Sequence, residues 1–354
     1  RNELELLFNS VDFLVFFAFV ITISVIIKNK NFSYVFLVAV SYIFFYFSNN
    51  FLISLLVFST VLDFYIAKAI WSTDDKSKKK KLLLISIIGN LGLLGFFKYA
   101  DFGISQFNDL FKLIGLNDVP LLEIALPVGI SFYTFQTLGY TIDVYRGQLA
   151  PAKSFKEFAL FVAFFPQLVA GPILRASNFL PQIREKFSHL DTKNYLKQIL
   201  IQRTNLKVGL TLMSFGFFKK MFFADNIAPF VDEIFLNPIG LDSFAIILGT
   251  IGFGIQLYCD FSGYSDIAIG AALILGFKVP QNFNFPFFAT SPAEFWRRWH
   301  ISLSTWVRDY VFFPMVINNK KSRLRIFSSL FTTMFLIGIW HGAGWNFVIF
   351  GIIH

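Results

Sequence analysis

The 354-residue chain is poor in cysteine, histidine and charge: it has one Cys and four His, and 15% of its residues are Asp, Glu, Lys or Arg. A typical soluble domain carries about 25% charged residues. A single cysteine excludes an internal disulfide framework and a cysteine-rich metal site within this sequence. Cys259 lies in an apolar stretch and reads as a small packing residue. Also absent are a Gly-x-x-x-x-Gly-Lys loop, a Gly-x-Ser-x-Gly elbow, a His-Glu-x-x-His pair and a dinucleotide glycine fingerprint. Phosphate-loop hydrolysis, serine-hydrolase chemistry and zinc-protease chemistry therefore have no support. No internal repeat, low-complexity tract or soluble domain interrupts the chain, which reads as one membrane domain over 1–354.

What the chain has in excess is apolar surface. Hydrophobic residues make up 55% of it, 50 of them Phe, and the mean hydropathy is +0.61. Water cannot solvate such a sequence, so the bilayer is its solvent and the fold class is an all-α polytopic membrane protein. Apolar runs fall at 11–27, 32–47, 51–71, 82–99, 121–145, 155–174, 206–223, 243–259, 262–277, 326–340 and 343–354. Several are shorter than the ~20 residues of a simple span, so the expectation is about nine to eleven membrane segments, with re-entrant and interfacial pieces among them. The net charge of +9 resides in short basic stretches between these runs. That is the pattern of cytoplasmic loops and gives no support to nucleic-acid binding. The loops "KNK" (28–30) and "STDDKSKKKK" (72–81) flank the uncharged turn "SNN" (48–50), which places the N-terminus outside. The polar stretch 175–207 reads as a cytoplasmic loop with surface helices, and His189 within it as a surface residue. The chain starts at Arg1 and stops at His354 directly after an apolar run, so it is expected to be a section of a longer protein.

Polar groups at membrane depth are expensive, and each is a functional hypothesis. His341 sits in "FLIGIWHGAGWNFVIFG" (335–351), with no carboxylate between 331 and 351. Gly342 and Gly344 allow close backbone approach. Two readings fit: a packing histidine bonded to a carbonyl, or a neutral imidazole buried in an apolar site and serving as general base. His300 belongs to "EFWRRWHISLSTWVRDY" (294–310). On a 3.6-residue period Trp296, Trp299, Leu303, Trp306, Val307 and Tyr310 form one stripe with His300 at its edge, predicting an amphipathic interfacial helix. Ser291 and Glu294 fit a capping box that starts it at Pro292. Arg297, Arg298 and Arg308 either snorkel to headgroups or form a cationic mouth for the phosphates of a nucleotide-bearing donor. Asn284 lies in the irregular stretch upstream, and Trp340 precedes His341; with Trp296 and Trp299 they complete the candidate donor site. Asp260 and Asp266 flank Gly263 and are expected to pair with the nearby arginines.

Taken together, "SPAEFWRRWHISLSTWVRDYVFFP" (291–314) and "GIWHGAGWNFVIFG" (338–351) resemble the membrane-bound O-acyltransferases. So do "LPVGISFYTFQTLGYTIDVYRG" (126–147), "FFPQLVAGPILR" (164–175), "QLYCDFSGYSDIAIG" (256–270) and "NFNFPF" (282–287). The resemblance runs from about residue 80 to the end and is nearest to the bacterial polysaccharide O-acetylation branch, alginate and peptidoglycan alike. It implies a ring of tilted helices around a central funnel, His341 as the essential histidine and His300 as its support. It also implies acetyl-CoA or another acyl thioester as cytoplasmic donor, no bound cofactor and no metal. The acceptor would be a polysaccharide, reached directly or through a periplasmic or extracellular acetyltransferase partner, in the bacterial inner membrane. Teichoic acid D-alanyl transfer is a related alternative. A transporter using Asp143, Asp260 and Asp266, or a silent scaffold, are alternatives of another class; the absence of a paired inverted repeat speaks against the transporter.

Overall fold

In lipid a chain must satisfy its own backbone, and most of the apolar runs here do so as helices. The structure, a computed structural model, describes residues 10–27, 30–168, 171–188, 203–317 and 322–354. Among the described residues every regular element is helical and no strand occurs. His189, most of "KNK", residues 1–9 and the middle of the 175–207 stretch lie outside the described residues. Four helical stretches are long and apolar enough to cross a membrane: Asn31–Trp71, Lys76–Leu113, Ser243–Ile274 and Arg323–His341. Length and composition thus give four spans among the described residues, where the apolar runs point to nine to eleven membrane segments. The remaining runs form shorter helices such as Val11–Ile26, Ile130–Tyr145, Phe155–Ala163 and Trp345–Ile353.

Three expectations are corrected by the local structure. The runs 243–259 and 262–277 are one continuous helix, Ser243–Ile274. The acids in and between these runs are matched from a neighbouring segment: Lys220 pairs with Asp260, which separates the runs on paper, at 2.7 Å, and Lys219 with Asp266 at 2.5 Å. The aspartates therefore pair with lysines and not with the arginines. The basic loop 72–81 is mostly helix, because Asp75 caps Lys76–Leu113 by accepting from the Ser77 N–H at 2.8 Å. A carboxylate there offsets the lysines that crowd the positive end of the helix dipole.

The chain falls into two compact units, each built from two stretches: 1–54 with 152–302, and 55–151 with 303–354. In the first, Phe158, Phe161, Phe164, Phe179 and Phe277 form a fully buried aromatic core. The helix Ala176–Ser188 adds its apolar face to it, and its Arg184 pairs at 2.5 Å with the buried Glu157. This part of the polar stretch is packed into the fold and is more than a surface helix. The helix Arg203–Phe217 lies against Ser243–Ile274 through two glycine pairs, Gly209 with Gly270 and Gly216 with Gly263. Small residues at a membrane helix crossing let backbones meet, which is the main source of packing energy where lipid removes the hydrophobic drive.

In the second unit a buried polar cluster ties three helices together. Asp63, fully buried, accepts from Ser86 Oγ, from Asn90 Nδ2 at 2.8 Å and from Thr141 Oγ1 at 3.1 Å, and Thr137 donates to Asn90 Oδ1 at 3.3 Å. These residues come from Ile53–Trp71, Lys76–Leu113 and Ile130–Tyr145. Asp63→Ala leaves these donors without their acceptor and is expected to destabilise the protein by about 2–4 kcal/mol. A thermal unfolding scan in detergent, with Asp63→Asn as the milder comparison, measures it.

Candidate active site

Around His300 the sequence builds a broken helix rather than the continuous amphipathic one its periodicity predicts. Ser291 accepts from the Glu294 N–H at 3.2 Å and starts a helix at Pro292, as the capping box predicts. Glu294 reaches back to Thr290, accepting from its N–H and hydroxyl at 2.8 Å each, and pairs with Arg298 at 2.5 Å. Those bonds, led by the Thr290 N–H, hold its carboxyl down at about 2. Its contribution is therefore complete above the unfolded carboxylate value of about 4.3 and is lost only as pH falls through about 2. The helix ends at Arg298, Trp299 is extended, and His300 takes a left-handed backbone with φ +43° before the helix resumes at Ile301. Such a conformation is uncommon outside glycine and needs surroundings that enforce it.

Two backbone bonds from the irregular segment enforce the break. The Asn284 N–H donates to the Arg298 carbonyl at 2.9 Å, and the Ile301 N–H donates to the Asn282 carbonyl at 2.8 Å. The chain ends exposed by the interruption thus find partners. His300 is 1% exposed, with its ring 4.7 Å from that of Phe261 at 79°. Its Nδ1 lies 3.2 Å from Asn282 Oδ1. Trp299 is buried among Phe283, Phe295, Phe287 and Tyr258, with centroids 5.1–6.4 Å away. Trp296 is half-buried and Arg297 exposed, while Arg298 is committed to Glu294. The Asn284 side chain is exposed. The fully buried amide of this segment is Asn282, which sequence reasoning passed over. Two asparagines two residues apart look alike in a sequence, and only burial separates them.

His341 belongs to the other unit, at the last position of Arg323–His341. The helix stops because Gly342 is extended, and a Cβ there would meet the Phe347 ring at 2.1 Å. The imidazole packs edge-on to Trp340 at 5.0 Å and Phe350 at 5.8 Å. It is exposed on its remaining side, so the expected buried pocket is an aromatic-walled open position within this unit. Trp340 stacks on Phe135 at 5.6 Å, and Phe135 in turn lies 4.4 Å from Trp306, whose Nε1 donates to the Phe135 carbonyl at 3.0 Å. Tyr310 donates to Asp143 Oδ2 at 2.8 Å, which gives that buried acid a local partner. Arg308 is half exposed and pairs with the adjacent Asp309 at 2.8 Å.

Lys98 is the second residue that sequence reasoning missed. Its ammonium donates to the Trp340 carbonyl and sits 5.3 Å from the Trp340 ring centroid, while Tyr99 donates to the Ile339 carbonyl. A lysine and a tyrosine thereby hold the last turn of the helix that ends in His341, where unpaired carbonyls favour cations. The available signal was a lysine inside the apolar run 82–99. Lys98→Met is expected to lower any acyl-transfer rate that depends on His341 about tenfold with the protein still folded, because misplacing a group by about 1 Å can cost about a hundredfold. Side-by-side rates in proteoliposomes test this.

The sequence profile of the membrane-bound O-acyltransferase family, MBOAT, matches residues 148–354, which hold both histidines and their motifs. The chain belongs to this family. Its similarity to curated relatives runs well beyond the profile. A probable alginate O-acetylase of Pseudomonas aeruginosa is 40% identical over 298 residues, 83% of this chain and 54% of the relative. A peptidoglycan O-acetyltransferase of Helicobacter pylori is 36% identical over 351 residues, 92% of this chain and 64% of the relative. A teichoic acid D-alanyltransferase of Streptococcus thermophilus is 32% identical over 237 residues, 64% of this chain and 54% of the relative. The MBOAT chain thus spans between half and two thirds of the length of these relatives. As an MBOAT protein it is a multi-pass membrane protein, and the span matched to the family holds His300 in one compact unit and His341 in the other.

Proposed function

We propose that this MBOAT chain transfers an acetyl group from a cytoplasmic thioester, acetyl-CoA, toward O-acetylation of a cell-envelope or exported polysaccharide of the peptidoglycan or alginate kind. The observation that carries the reading is His341. It is an imidazole walled by two aromatic rings, open on one side, and fixed at a helix end by Lys98 and Tyr99 through the two preceding carbonyls. Similarity to an alginate O-acetylase and to a peptidoglycan O-acetyltransferase supports the acetyl group and the glycan acceptor.

The reaction balances as a direct transfer. His341 takes the proton of an attacking hydroxyl as its oxygen bonds to the thioester carbonyl carbon. The carbon–sulfur bond then breaks, and the imidazolium returns the proton to the leaving thiolate. The hydroxyl belongs to the glycan or to a partner acetyltransferase on the outer face that relays the group. His300 supports the site. The exposed Arg297 is the cation to receive the donor's phosphates; Arg298 is taken by Glu294 and Arg308 by Asp309. The membrane is the bacterial inner membrane with the basic segments on its cytoplasmic side.

Purified protein in proteoliposomes, given acetyl-CoA and a soluble glycan with or without the outer partner, should release free thiol and acetylate the glycan. Release with D-alanyl thioester instead would move the protein to the D-alanyl reading that the Streptococcus relative favours. Absence of thiol release with every donor and partner would leave a scaffold or transporter.

A further inference from the structure

Asn282 carries its structural load on one oxygen. Its Oδ1 lies 3.2 Å from the backbone nitrogen of Ser302, 2.9 Å from Ser302 Oγ and 3.2 Å from His300 Nδ1. The backbone N–H of Ser302 is an obligate donor, so the atom it meets must be an acceptor; the amide orientation of Asn282 is fixed by chemistry and not by choice. Its other arm agrees, because Nδ2 donates to Ser265 Oγ at 3.2 Å. The Ser302 hydroxyl is fixed in the same way. It accepts from the Ile173 N–H at 3.0 Å, which leaves its own hydrogen for Asn282 Oδ1. Asn282, Ser265, Ser302 and His300 are each at most 6% exposed, so water is a poor substitute for any of these partners.

An oxygen lone pair and a nitrogen lone pair do not face each other at 3.2 Å in a buried site. His300 Nδ1 must therefore carry hydrogen. From this juxtaposition we infer that Asn282 is a positioning residue that locks the neutral His300 imidazole in its Nδ1–H tautomer, making Nε2 its basic nitrogen. In water the opposite tautomer is favoured, so the protein imposes this one. Three further restraints fix the position of the ring: the left-handed backbone at His300, the Ile301 N–H bond to the Asn282 carbonyl and the Phe261 ring against the imidazole. Which ring nitrogen is basic is commonly set by the bond the other one makes.

The inference rests on His300 supporting the transfer, and the test separates the two. Protein labelled with 15N-histidine and reconstituted in nanodiscs gives ring-nitrogen spectra for its four histidines. The His300 signal is identified by its loss in His300→Asn. The wild-type protein should show a protonated Nδ1 and a bare Nε2. In Asn282→Val the signal should move to the Nε2–H form, with kcat for acetyl transfer falling about a hundredfold at little changed KM. Asn282→Asp keeps the acceptor and should keep the Nδ1–H form and most of the rate. A wild-type spectrum with Nε2–H overturns the inference without any variant. So does Asn282→Val that loses activity with its tautomer unchanged, which is the signature of a merely structural role. If the tautomer is as inferred but His300→Asn transfers acetyl at the wild-type rate, it is the functional reading of His300 that fails.

Discussion

His341→Ala is expected to reduce acetyl transfer by at least about 10³-fold while the protein remains folded in the membrane. The expectation follows from how little else the side chain does. Its ring touches Trp340 and Phe350 edge-on, and the turn that holds it is secured by Lys98 and Tyr99 on the carbonyls of Trp340 and Ile339, which alanine leaves intact. The helix end itself is set by Gly342 against Phe347. Loss of the imidazole therefore spares architecture, and a fall in rate reports the role proposed for the side chain. The measurement is acetyl transfer and thiol release by variant and wild type in proteoliposomes, with size-exclusion profiles to show equal folding. A variant that releases thiol at more than a tenth of the wild-type rate would exclude His341 as the proton acceptor.

Gly270→Leu should have the largest effect on stability. A Cβ at this position would lie 2.5 Å from the Gly209 carbonyl oxygen and 3.0 Å from the Met213 nitrogen, both backbone atoms of the facing helix. Backbone cannot turn aside as a side chain can, so Arg203–Phe217 must separate from Ser243–Ile274. The expected penalty is about 3 kcal/mol or more, at the upper end for overpacking a close-packed interface. Separation also moves Lys219 from Asp266 and Lys220 from Asp260, whose pairs lie beyond this crossing. The control is Gly95→Leu, where a Cβ would have nothing within 4 Å and little change is expected. Fluorescence size-exclusion of tagged variants should show Gly270→Leu aggregated or degraded and Gly95→Leu monodisperse. Equal profiles would show that the helix pair is not held by this contact.

What periodicity and composition can reveal is bounded by what they encode. The helical membrane class follows from 55% hydrophobic residues, and the start of the Pro292–Arg298 helix is legible because Ser291 and Glu294 form a local bond pattern. The stripe from Trp296 to Tyr310 is equally regular on paper, yet the helix breaks at Trp299 and His300. The break is imposed by Asn282 and Asn284, two backbone partners remote in the chain, and no local signal announces them. The same holds for Ser243–Ile274, where Asp260 reads as an interruption until Lys220 is known to face it. Long-range partners for costly residues are the information that a single sequence lacks. His300 and His341 stand out in the sequence as candidates because so few polar groups compete with them, whereas the contacts of Asn282 and Lys98 depend on atoms that the sequence alone does not bring together.

The left-handed residue at position 300 also restricts which substitutions are informative there. A saturation library would separate two kinds of loss. Glycine and asparagine accept φ +43° and should yield protein that inserts normally and lacks only the imidazole. Valine, isoleucine and threonine cannot enter that conformation without strain, so they should disappear from the membrane fraction before activity is assayed. An alanine scan would report a mixture of the two and overstate any chemical role of His300. The position has in effect a backbone alphabet narrower than its side-chain alphabet, and asparagine is the letter that reads the imidazole alone.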